Sequence, residues 1–144
     1  MTKRFTKAII PGIVSGLFLA VFFKLIEKIT NLKVYALLLN VDYIPYLQDF
    51  SFPEVIEVLF HIIVSIVLVA CLSLLFTCLK VVDKRKIIFW SSILCLGIGL
   101  ALFPTTSFSD RTPELFSLPS LLFWLIGHLG YGWLVGVLIY RGMK

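Results

Sequence analysis

Residues 58–79, VLFHIIVSIVLVACLSLLFTCL, contain no Asp, Glu, Lys or Arg. A membrane-spanning helix needs about 20 apolar residues, and this stretch supplies them without interruption. Charge is likewise absent from 8–23, 87–109 and 115–140. With their flanks, these four stretches predict transmembrane helices near 8–29, 54–79, 87–104 and 118–140. The expected fold is therefore all-α: one polytopic domain over 1–144, a four-transmembrane-helix bundle with a short amphipathic outer segment.

Composition agrees. The 144 residues are 60% hydrophobic and 15% charged, with mean hydropathy +1.03. A water-soluble domain carries roughly 25% charge. A soluble enzyme, a disordered regulator and a secreted disulfide scaffold are excluded. The net charge of +5 does not indicate nucleic acid, because Lys and Arg lie in short clusters between apolar spans and not on one accessible face. The bilayer is the expected partner, with a further protein or a second copy of the chain as the other partner reading.

The basic clusters set direction. Lys3, Arg4, Lys7, Lys80, Lys84, Arg85, Lys86, Arg141 and Lys144 fall on one side, against Lys28, Lys33 and Arg111 on the other. By the positive-inside rule both termini are expected in the cytoplasm, with the chain in the plasma (inner) membrane. The first span follows a basic stretch but no small-x-small cleavage site, so a retained helix is expected. Segment 30–53 mixes Tyr35, Tyr43, Tyr46, Phe50 and Phe52 with Asp42 and Asp49. It is expected on the outer surface, with a short helix near 34–40 and a break at Pro45. Segment 104–117, with Pro104, Pro113 and a Thr-Thr-Ser run, reads as irregular.

Lipid tails are as apolar as Leu, so small residues and polar contacts must hold the helices together. Gly12, Gly16 and Ala20 form such a stripe on the first span, Ser92, Cys95 and Gly99 on the third, and His128, Gly132 and Gly136 on the fourth. The two Gly-x-x-x-Gly motifs are read as packing the bundle internally, with self-association as the alternative. Cys71, Cys78 and Cys95 form no C-x-x-C and are expected to be buried as small hydrophobes.

The polar residues at membrane depth are the candidate site. Glu54, Glu57, His61 and Ser65 share an arc of about 80° on the second span, with His61 roughly 10 Å in from Glu54. His128 lies roughly 15 Å down the fourth span. Lys24 and Glu27 are helical neighbours on the first. An ionisable group at mid-membrane costs about 3 kcal/mol, so such groups face inward and pair. Lys24 is expected to pair with Glu27, Glu54 or Glu57, and His61 to lie within reach of His128. Glu54 alone also suits a helix start. Two His and a carboxylate would suit a metal, and two opposed His a haem, but no spacing motif supports either. No cofactor is expected.

Three blocks resemble the YagU-type inner-membrane proteins. These are 16–27 (GLFLAVFFKLIE), 61–67 (HIIVSIV), and the run from Phe103-Pro104 through 115–119 to Gly127-His128 and Trp133. The resemblance covers most of the chain and singles out Lys24, Glu27, His61, Ser65 and His128. It implies a small multi-spanning membrane protein without assigning an activity. Trp124 stands where that pattern has an acidic residue before the Gly-His pair.

The functional expectation is a non-enzymatic membrane protein whose outward His/Glu/Lys cluster responds to protons or a cation. The alternatives are a structural or accessory protein whose cluster only fixes packing, and a small transporter subunit. The last ranks lowest, because 16–23 lacks the carboxylate that four-helix exporters keep midway along their first helix.

Overall fold

A computed structural model describes residues 2–41, 44, 50 and 52–143, except the side chains of 2–6 and 143. The described residues are all-helical. The elements are α1 (Thr2–Thr30), α2 (Val34–Leu39), α3 (Glu54–Cys78), α4 (Lys84–Leu102), a 3-10 helix (Phe103–Phe108) and α5 (Leu118–Met143). Four stretches are long and apolar enough to cross a membrane: Lys7–Thr30, Glu54–Cys78, Lys84–Phe108 and Leu118–Gly142. The short helix expected near 34–40 is α2. The expected break at Pro45, and the residues Asp42, Tyr43, Tyr46 and Asp49 around it, lie outside the described residues.

Helix ends follow local chemistry. Asp83 caps α4, its side chain accepting from Lys86 N at 2.9 Å, which moves the start ahead of the expected residue 87. α3 ends in a Schellman motif: Val81 N donates to Phe76 O and Lys80 N to Thr77 O, with Lys80 at φ 55°. Asn31, at φ 59°, closes α1 through its N–H to Glu27 O. Segment 104–117 is more ordered than expected. Its first part continues α4 as 3-10 helix; Phe103 N still donates to Gly99 O, and Pro104, which has no N–H, ends the α-helical ladder there.

α1 packs on α3 and on α5, α5 packs on α4, and α2 lies over α1 and touches α3. The spatial order is therefore α3–α1–α5–α4, and α3 and α4 do not pack along one another. Glycine makes two of these contacts. A Cβ on Gly12 would meet Ile66 Cα at 2.5 Å, and one on Gly16 would meet Ile62 Cδ1 at 2.8 Å. Across the other pair, Gly132 and Gly136 lie against Ser92 Cα and Ile88 Cα, each 2.7 Å from such a Cβ. Both motifs pack the bundle internally, and Ala20 is buried beside them. Phe23, Val69, Phe76, Ile87 and Val135 fill the core. On the cysteines the expectation needs correction. Cys95 is buried between α4 and α5, but Cys71 and Cys78 are exposed on the apolar outer face of α3.

Candidate functional site: a polar-floored cavity at the α2 end

At the bundle end that carries α2, the charged residues pair in a pattern only partly expected. Lys24 binds Glu54 at 2.5 Å. The same Glu54 oxygen accepts from Tyr35 Oη at 2.8 Å, and Lys24 Nζ lies 5.3 Å from the Tyr35 ring centre. Burial, and then the bond to the Glu54 carboxylate, push the Tyr35 hydroxyl above the usual phenol range. Glu27 does not pair with Lys24. Its Oε2 accepts from Tyr35 N at 2.7 Å and Ala36 N at 3.0 Å. The first N–H groups of a helix have no partner of their own, and a carboxylate satisfies them. Glu27 therefore anchors α2 to α1.

Glu57 is buried, and its partner is Arg111, whose Nη2 lies 3.0 Å and 3.3 Å from the two carboxylate oxygens. Lys33 Nζ donates to Asp110 O at 3.1 Å. These bonds fasten segment 109–117 over the bundle beside α2. The sequence reading counted Arg111 only as a topology signal. Its being the one cation in segment 104–117 was the available clue.

Beneath this cover lies a cavity of about 300 Å³ between α3, α4 and α5. His61, Ser65, His128 and Tyr131 form its polar floor, and Glu57 and Trp124 also line it. Of the four residues on the expected arc of α3, Glu57, His61 and Ser65 face the cavity; Glu54 stays exposed at the helix start.

α1 and α3 share a register lock. His61 Nε2 donates to Gly16 O at 3.1 Å, and Ser65 Oγ donates to Gly12 O at 2.8 Å. His-x-x-x-Ser thus reads Gly-x-x-x-Gly in antiparallel order. The glycines let α3 approach closely enough for its side chains to reach carbonyl oxygens already bonded within α1, through their second lone pairs. Ser65 Oγ also lies 2.8 Å from Tyr131 Oη. Since the Ser65 proton goes to Gly12 O, Tyr131 is the donor in that pair.

His128 Nδ1 donates to Trp124 O at 2.9 Å, one turn back on α5. Its ring packs 4.4 Å from Trp124, which stacks on Phe23 at 5.0 Å. Trp124 Nε1 donates to Gly99 O at 2.7 Å, which ties α5 to α4. Both histidines line the cavity, but no hydrogen bond joins them. A carbonyl can only accept, so the bonded nitrogens carry the protons. The second nitrogens, His61 Nδ1 and His128 Nε2, are acceptors in the neutral rings and have no protein partner among the described residues. No three His, Cys, Asp or Glu side chains converge as a ligand set among those residues. Tyr131 and Trp124 are the site residues that charge and motif reading missed. No family model, curated protein or solved structure matches the chain.

Proposed function

We propose that this chain is a non-enzymatic membrane module whose two histidines, near the end of the bundle that bears α2, take up a proton. The observation that supports it is that the chain's two histidines, on different helices, line one cavity with an open acceptor nitrogen each. With both rings neutral, two acceptors cannot bond each other. One added proton turns either nitrogen into a donor toward the other ring, and an N–H···N bond would then tie α3 to α5, helices that share little other contact. The groups facing the histidines are Glu57 with its partner Arg111, Cys95 from α4 and Tyr131 from α5. α1 contributes Leu19, the Phe23 ring and the Gly16 carbonyl, and α2 contributes uncharged residues.

The Lys and Arg count supports cytoplasmic termini and an outward-facing cavity in the plasma membrane. On this reading the chain is a YagU-type protein, and three of the positions that carry that resemblance, His61, Ser65 and His128, form the proton-responsive floor. The test is protease sensitivity and thermal stability in detergent from about pH 5 to 8, the window in which His titrates. Wild type is expected to resist proteolysis better at the acid end, and His61→Gln or His128→Gln to lose that change. A profile that is flat in wild type, or retained in full by both variants, would leave the histidines as packing residues, the accessory reading.

A further inference from the structure

The cavity opens sideways. α3 and α4 flank it without packing on one another. Three of its lining residues, Ile63, Val64 and Leu102, are also 49%, 64% and 38% exposed on the outside of the bundle. They are apolar and belong to helices long enough to cross a membrane, so this mouth meets hydrocarbon. Among the described residues, α2 and the Glu57–Arg111 and Lys33–Asp110 bonds lie over the α2 end of the cavity, where the lining residue Ile44 is 37% exposed. The apolar mouth between α3 and α4 is the route a lipid-soluble ligand would take. At about 300 Å³ the space is at the lower end for small-molecule sites.

The floor states what such a ligand must carry. His61 and His128 have each given their one N–H to a backbone carbonyl. Ser65 has given its proton to Gly12 O, Tyr131 its own to Ser65, and Trp124 its N–H to Gly99 O. The polar atoms left open on the floor, His61 Nδ1 and His128 Nε2, are acceptors. A carboxylate, a phosphate or a ketone brings only acceptors and leaves both histidine nitrogens unsatisfied. A cation would have to leave water for mostly apolar walls, where the one carboxylate is already held by Arg111. An uncharged hydroxyl satisfies the floor, and an apolar body satisfies the walls.

We propose that the cavity binds an uncharged, lipid-soluble alcohol or phenol that enters between α3 and α4 and donates its hydroxyl to His61 or His128. The proposal uses the same cavity as the proton reading, and binding is measured at pH 8, so it fails or holds independently of any acid response. Trp90 and Trp133 are exposed, so Trp90→Phe with Trp133→Phe leaves Trp124 as the sole reporter on the cavity wall. The probes are a long-chain bromoalcohol and the bromoalkane of equal length, each titrated into detergent-solubilised protein. We expect saturable quenching by the alcohol at about tenfold lower mole fraction than the alkane, the value of one or two buried hydrogen bonds. The unbrominated alcohol should relieve it, and a fatty carboxylate of equal length should not. His61→Leu combined with His128→Leu should abolish the preference while alkane quenching persists. Equal quenching by alkane and alcohol would show a groove that holds acyl chains. Equal relief by the carboxylate would show a floor with free donors. Either result, or no saturable quenching, overturns the proposal.

Discussion

Ser65 makes two bonds at 2.8 Å, donating to Gly12 O and accepting from Tyr131 Oη. It is the one floor residue that joins α1, α3 and α5. Ser65→Ala removes the bond to α1 and leaves the Tyr131 hydroxyl without its acceptor. Buried polar contacts between membrane helices average about 0.6 kcal/mol, and an orphaned buried hydroxyl adds about 1–3 kcal/mol. The expected loss is therefore about 2–4 kcal/mol, read as a lower melting temperature in detergent. Ser65→Ala combined with Tyr131→Phe should recover part of it, because no unpaired hydroxyl remains. A double variant less stable than the single by the full cost of each change would contradict this pairing. At this scale the sequence was half legible. His61 and Ser65 stood out as polar residues in an apolar span. Tyr131 did not, since one tyrosine in a membrane helix carries no charge to betray it. The sequence left Lys24 with Glu27, Glu54 or Glu57 as partner; the structure pairs it with Glu54, and Glu27 satisfies the unpaired N–H groups of α2.

The helices make a matching argument about glycine. A Cβ at Gly12 would strike the Ile66 backbone at 2.5 Å, whereas one at Gly97 meets nothing within 4 Å. Gly12→Ala must push α1 from α3 and weaken the bonds from His61 and Ser65, at about 1–3 kcal/mol. Gly97→Ala, in an open stretch of α4, should hold or raise stability, since Ala suits a helix better by up to about 1 kcal/mol. Thermal melts of the two variants check this; equal melting would mean that Gly12 is not at a contact. The spans were legible because charge is costly in lipid, so its absence marks them. The boundaries were less so: Asp83 extends α4 toward its start through a single cap bond, and the 3-10 turn after α4 contains a proline that reads equally well as a break. The antiparallel match of His-x-x-x-Ser to Gly-x-x-x-Gly requires knowing which spans are neighbours, and no periodicity within one span contains that.

In the whole molecule, the order α3–α1–α5–α4 leaves one side of the bundle unsealed, and the cavity is a consequence of that order. The long-range pair Glu57–Arg111 closes its α2 end, a contact that spans most of the chain and that no local pattern announces. The basic clusters predict that this end lies on the outer side of the membrane. Phe116, 93% exposed in the loop beside α2, and Lys84, at the start of α4, stand at opposite ends. Single-cysteine variants Phe116→Cys and Lys84→Cys, with the native cysteines replaced, should label from outside and only from inside respectively. The reverse would overturn the orientation and place the histidine cavity toward the cytoplasm.

The claim on which the rest depends is that His61 and His128 are neutral rings with their open nitrogens toward one cavity and a single proton to gain between them. Nitrogen-15 NMR of histidine-labelled protein in liposomes reads it directly, because the chain has only these two histidines and His128→Gln assigns the pair. At pH 8 the account expects one Nε2–H tautomer for His61 and one Nδ1–H tautomer for His128. At pH 5 it expects a protonated ring hydrogen-bonded to the other. Two rings already cationic at pH 8, the opposite tautomers, or spectra unchanged between the two pH values would contradict it.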